Sequence, residues 1–348
     1  MMKEYSPMPS NQMRNSSIEL YRIIATFTVL IVHFNGWFVG GMPDRYDLAN
    51  PSLFRTGQMI IEAATCICVN MFIIISGYFG IKLKMQSVLK LCLILVLIFV
   101  PAYMLRCMFS LHFGITSLIR QFLVISRAGY FIQCYMMLMF LSPVLNSYIE
   151  KYGKKSAAWI LVFFFLEFWF GCIMGVEDLG FNHGYSVIHF VLIYMIARLI
   201  KLYETELMKV KYFIWIIGYV LCTLIICLMY IGGIKFCWDY SNPIVVVSSV
   251  CSFMPFLYLS FYNRRINWVG SGTLAVYIIQ VTRPYQSYLE SIDKSLLLTN
   301  PYPVYLIKAL GVIILTFLFS IIYGKCCNYI ISPIVERTSD KLKVYNVF

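Results

Sequence analysis

Long apolar runs separated by short polar stretches dominate this chain. The first run, 17–38, has about 22 residues, enough as a helix to cross ~30 Å of hydrocarbon. Similar runs follow at 58–80, 88–106, 130–149, 157–174, 185–202, 211–231, 243–262, 268–282 and 304–330, with polar residues interrupting 130–149 and 268–282. No internal repeat links them. The pattern predicts an all-α, polytopic transmembrane bundle of about ten helices. Segment 1–16 precedes the transmembrane domain of 17–330, and a tail of 331–348 follows it. No small-residue cleavage site follows the first run, which also holds Arg22 and His33, so it does not read as a cleaved signal peptide.

The connecting stretches give the bundle a direction. Basic residues gather in alternate connections: Lys82, Lys84 and Lys90; Lys151, Lys154 and Lys155; Lys201, Lys209 and Lys211; Arg264 and Arg265; and the end from Lys325. With Lys3, Arg14, Arg22 and Arg198, that side holds 19 of the 28 Lys and Arg residues. Cytoplasmic loops carry such an excess, so both termini are expected in the cytoplasm. The outer loops are then 39–57, 107–129, 175–184, 232–242 and 283–303, too short for separate domains. Within the second, Thr116–Arg127 is amphipathic and reads either as an interfacial helix or as ordinary loop.

Composition agrees with immersion in lipid. Hydrophobic residues make up 60% and charged residues 13%, about half the charge of a soluble domain. The net charge of +12 brings no basic tract or nucleic-acid motif with it, so it is read as topological. The twelve cysteines lie mostly in apolar runs without paired C-x-x-C spacing, as apolar fillers do, and no metal site is expected.

Candidate chemistry begins in the first helix. Arg22 and His33 are eleven residues apart, about three turns plus 20°, so they share one face at roughly 16 Å separation. Titratable groups inside a span are costly and usually face a cavity or a partner. Arg22 can instead snorkel, or pair with Glu19 along the helix; His33 sits deeper and can alternatively be a hydrogen-bonded structural histidine. His189 lies among apolar residues without a partner comparable to Arg22, and His112 and His183 fall in or beside outer loops.

The Arg22-x10-His33 spacing within ELYRIIATFTVLIVHF resembles the first helix of acyltransferase family 3, integral-membrane O-acyltransferases of bacterial envelope sugars. Further segments are similar in the same order: VNMFIIISGYFGIK (69–82), YFIQCYMMLMFLSPVLN (130–146), NHGYSVIHFVLIYMIARLIKLY (182–203), SNPIVVVSSVCSF (241–253) and INWVGSGTLAVYIIQ (266–280). Two positions depart from the pattern. KLKMQSVLKL stands where many relatives carry Arg-x-x-Arg, and Gln280 stands where many carry a histidine, which argues against an obligatory base there.

The resemblance implies an acyl-CoA donor, acetyl-CoA or another short-chain one, and a glycan or lipid-linked sugar as acceptor, in a bacterial cytoplasmic membrane. Arg22, Lys84 and Lys90 would hold the nucleotide at the inner rim, and the pantetheine arm would run along the first helix toward His33. His33 would act as general base or transient acyl carrier. Glu62 is its expected orienting partner, with Glu167 the alternative. Asn70 and Ser76 would line the passage, or serve only as packing contacts. A transporter or flippase of lipid-linked sugars is the competing reading, since it would share the helix count and the intramembrane Arg and His.

Overall fold

A computed structural model describes residues 15–110, 113–123, 129–176 and 178–343. Lys3, Arg14, His112 and Arg127 lie outside the described residues. Within them the chain is helical, with no strand. In order, the helices are α1 (Ser16–Asn35), α2 (Leu53–Thr65), α3 (Cys68–Phe79), α4 (Met85–Ser110), α5 (Ile115–Phe122), α6 (Tyr130–Tyr152) and α7 (Ala157–Glu167). Then come α8 (Val187–Leu202), α9 (Glu204–Leu207), α10 (Tyr212–Ile231), α11 (Pro243–Leu257), α12 (Arg264–Gly270), α13 (Thr273–Val281), α14 (Tyr285–Thr299) and α15 (Tyr302–Lys343).

Local chemistry fixes several starts. The side chains of Asn15, Ser52, Ser186, Asn242 and Asn263 each accept a backbone N–H in the first turn of the helix that follows. Asn242 is followed by Pro243, whose missing N–H costs nothing in a first turn.

Six stretches are long and apolar enough to cross a membrane: Ser16–Val39, Leu53–Phe79, Met85–Phe109, Tyr130–Ile173, Tyr212–Ile231 and Tyr302–Thr338. The apolar pattern predicts about ten spans, and the difference has a geometric source. Tyr130–Ile173 contains two expected spans, joined by a 3₁₀ turn at Gly153–Ser156 where Gly153 has φ 52°. Both resulting helices, α6 and α7, pack against α8. The remaining expected spans became α8 and α11, of 16 and 15 residues, and the short pair α12 and α13. At 1.5 Å per residue a 15-residue helix covers about 23 Å, less than the hydrocarbon thickness.

Other boundaries also differ from the apolar pattern. The run 58–80 begins earlier, at Leu53, and breaks at Cys66–Ile67 into α2 and α3. The expected outer loop 283–303 contains helix α14, and α15 continues through the expected tail as far as Lys343. Ile115–Phe122 in the second outer loop is indeed helical, while 124–127 lies outside the described residues.

Helix α3 is the hub. Ile73 and Ile74 are fully buried, and a Cβ on Gly77 would lie 2.5 Å from the Tyr194 carbonyl oxygen, so only glycine lets α3 approach α8 this closely. In contrast α7 and α10 present Trp159, Phe163, Phe165, Leu221, Leu224 and Leu228 outward. Such faces suit hydrocarbon rather than water.

Candidate active site

Helix α1 is anchored at the Arg22 end by its serines. Ser16 Oγ donates to Asn267 Oδ1 (2.8 Å) and accepts from the Asn263 N–H (2.7 Å), and Ser17 Oγ donates to the Phe256 carbonyl (2.7 Å). One turn on, Arg22 Nη1 donates to both carboxylate oxygens of Glu19, at 3.0 and 3.1 Å. The nearly buried Glu19 carboxylate occupies the space a Cβ on Gly270 would need. The first glycine of VGSGT therefore makes room for the partner of Arg22.

Arg22 is also part of the wall of a cavity of about 580 Å³ among α1, α3, α4, α6, α13 and α15. Ser76, Lys82, Lys90 and the backbone around Gly272 share that wall. Three residues singled out from sequence, Arg22, Ser76 and Lys90, are thus brought together. Lys84 is exposed and lies outside this lining, where Lys82 stands instead. Ser76 Oγ donates to the Phe72 carbonyl (3.0 Å) and contacts the Tyr135 hydroxyl (3.2 Å).

At the other end of α1, His33 is half-buried against Trp37 and Phe38, with ring centroids 4.8 and 5.8 Å away. Its Nδ1 lies 3.1 Å from Gln280 Oε1 on α13. An amide oxygen can only accept, so Nδ1 carries the proton and Nε2 presents the lone pair. Gln280, a position set aside from sequence because it is not histidine, is therefore what orients the ring. His33 itself lines neither this cavity nor a second one at its own end of the bundle.

Glu62 engages a neighbour of His33 rather than the ring. Asn35 Nδ2 donates to Glu62 Oε2 (2.8 Å) and to the Gln58 carbonyl (2.9 Å), while Gln58 Nε2 donates to the Asn35 carbonyl (2.6 Å). This reciprocal pairing clamps the end of α1 to α2. Glu62 also sits 3.4 Å from where a Cβ on Gly36 would be.

His189, for which the sequence offers no partner comparable to Arg22, is fully bonded. Its Nδ1 meets Glu167 Oε1 and Oε2 at 3.1 and 3.2 Å, and its Nε2 meets Asn70 Oδ1 at 2.8 Å. Asn70 Nδ2 donates to the Tyr240 carbonyl (3.1 Å), which fixes the amide and makes His189 Nε2 a donor. All three side chains are fully buried, so Glu167 and Asn70 are occupied here and not at His33. The sequence signal was a carboxylate and a histidine both in mid-span, each too costly to bury alone.

Fold and site together define a multi-pass membrane protein with a cationic cavity at one end of its first helix and an oriented histidine at the other. A family model described as an acyltransferase domain, that of acyltransferase family 3, matches residues 15–324. The chain belongs to this family and is an acyltransferase. No curated protein and no solved structure matches it. Family membership replaces the transporter reading of the intramembrane Arg and His.

Proposed function

We propose that this protein moves an acetyl or other short acyl group from acyl-CoA to a sugar hydroxyl of a surface polysaccharide or lipid-linked glycan. The observation that carries the reading is the convergence of Arg22, Lys82 and Lys90 on one cavity, at the opposite end of α1 from an oriented His33. Three cations suit the phosphates of a nucleotide. Only Nη1 of Arg22 is engaged by Glu19, and a guanidinium has donors to spare.

In this proposal the pantetheine arm passes the cavity wall formed by Gly270 and Gly272 and follows the seam between α1 and α13. His33 Nε2 accepts the proton of the sugar hydroxyl as its oxygen attacks the thioester carbonyl. The C–S bond breaks, and the departing thiolate takes the proton from His33. The orientation follows the basic residues: ten passes, both termini cytoplasmic, in a bacterial cytoplasmic membrane.

The test is transfer of label from acetyl-CoA to polysaccharide by membranes containing the protein. Arg22→Ala should raise the KM for acetyl-CoA about tenfold or more, as loss of a hydrogen bond to a charged group does. Unchanged donor kinetics in folded Arg22→Ala protein would return Arg22 to a purely structural pairing with Glu19.

A further inference from the structure

A second cavity, of about 350 Å³, opens at the His33 end of the bundle, among α4, α5, α6, α13 and α14. Two guanidiniums line it: Arg106, near the end of α4, and Arg283, just after α13. Neither has a carboxylate or hydrogen-bond partner among the described residues, and both are exposed. Unpaired cations on the same small concavity form an anion site.

The rest of the lining is mixed: polar Gln121, Thr282 and Gln286 and the rings of Tyr103 and Tyr277 stand beside apolar residues such as Leu95, Ile132 and Val281. Gln121 and Gln286 also line it and are only 8% and 9% exposed. Gln121 Nε2 is held by the Ser117 carbonyl (2.7 Å), whereas the amide of Gln286 has no partner among the described residues. Tyr103 and Tyr277 supply ring surface, against which the C–H face of a sugar packs. The volume falls in the range of small-molecule sites.

This cavity also borders the donor cavity, although His33 lines neither. Tyr277 and Ile132 line both it and the donor cavity, so the two approach each other from opposite ends of the bundle. Tyr277 lies one turn before Gln280, the residue that orients His33.

We propose that this outer cavity binds the acceptor and that the acceptor is an acidic sugar, its carboxylate or phosphate held by Arg106 and Arg283 and its ring by Gln286 and Tyr277. The proposal rests on the acyl-transfer reading for the identity of its ligand as a sugar. It adds a selection rule: neutral glycans are poor acceptors.

The experiment uses the purified full-length protein in neutral detergent and three probes. These are an oligogalacturonate, the same oligosaccharide after reduction of its carboxyls, and a phosphodiester-linked sugar oligomer. Equilibrium binding is measured without CoA, and label transfer from acetyl-CoA is measured separately. The oligogalacturonate or the phosphodiester oligomer should bind at least tenfold more tightly than the neutral oligosaccharide, and whichever does identifies the anion. Arg106→Gln and Arg283→Gln should each weaken that binding about tenfold, Arg283→Lys should weaken it less, and acetyl-CoA binding should not change.

Equal binding of acidic and neutral oligosaccharides, or arginine variants that bind the acidic one normally, would overturn the proposal. So would occupancy by phosphatidylglycerol with no binding of either acidic sugar. Failure of the acyl-transfer reading looks different: acidic-sugar binding that depends on both arginines, with no label transferred from acetyl-CoA.

Discussion

His33 and His189 illustrate how one residue type is put to two uses by its surroundings. His189 has both ring nitrogens consumed, by Glu167 and Asn70, in a fully buried setting. Nothing is left for chemistry. His33 has one nitrogen held by Gln280 and the other without a hydrogen bond among the described residues. Gln280→Leu should keep the fold, because it replaces a side chain whose Nε2 already lacks a partner, but it frees the His33 ring to rotate and change tautomer. Turnover should fall about tenfold or more while the KM for acetyl-CoA stays put, because the contact positions the base and does not touch the donor. His189→Ala should act oppositely. It strands Glu167 in the interior, a loss of about 3–5 kcal/mol for a broken buried pair, seen as less folded protein with normal turnover per folded molecule. Loss of turnover without loss of folded protein in His189→Ala would contradict this division.

Among the elements, α14 shows what apolar periodicity does not register. Its sequence, YQSYLESIDKSLLLT, has too many polar residues for a span, yet Asp293 on it is fully buried. Tyr305 donates to Asp293 Oδ1 (3.0 Å) and also reaches the Phe34 carbonyl (3.3 Å), tying α14 and α15 to the end of α1 beside His33. Burial pushes the Asp293 carboxyl up to about 7, with the Tyr305 hydrogen bond opposing the rise. In the unfolded chain an aspartate ionises near 3.9, so between roughly pH 4 and 7 the folded state binds the extra proton. Stability must therefore fall as pH rises through that window and level off above it. Unfolding midpoints in detergent at about pH 5 and about pH 8 should differ less in Asp293→Asn than in the native protein. An equal fall in both would remove Asp293 as the cause.

The same contrast explains what could be read in advance. Long apolar runs set the helical class, and the elements α1, α4, α6 and α10 fall where hydropathy places them, because burial in lipid acts on every residue of a span alike. Breaks at Cys66–Ile67 and Ser271–Gly272, and the helix α14, leave no trace in the apolar pattern. At the site, Arg22 and His33 were legible because one helix sets their spacing. Gln280, Lys82 and the Glu167–His189–Asn70 chain depend on which helices become neighbours, and spacing along a single helix carries no such information.

At the scale of the whole molecule, acyl transfer as proposed requires a direction across the membrane and a division of labour along α1. The 19-to-9 split of basic residues is the basis of the proposed direction, with both termini in the cytoplasm. With native cysteines blocked or replaced, a membrane-impermeant thiol reagent added to intact cells should label Asn50→Cys and spare Lys155→Cys. Labelling of both, or of Lys155→Cys alone, would require another topology. The division of labour is tested most directly by His33→Ala in purified, folded protein, with acetyl-CoA binding and acyl transfer measured on the same sample. Removal of a general base costs about 10²–10⁴ in rate, so transfer should collapse by that factor while donor affinity and the yield of folded protein remain near native. Near-normal turnover per folded His33→Ala molecule would contradict the account, even if the protein still transferred acyl groups.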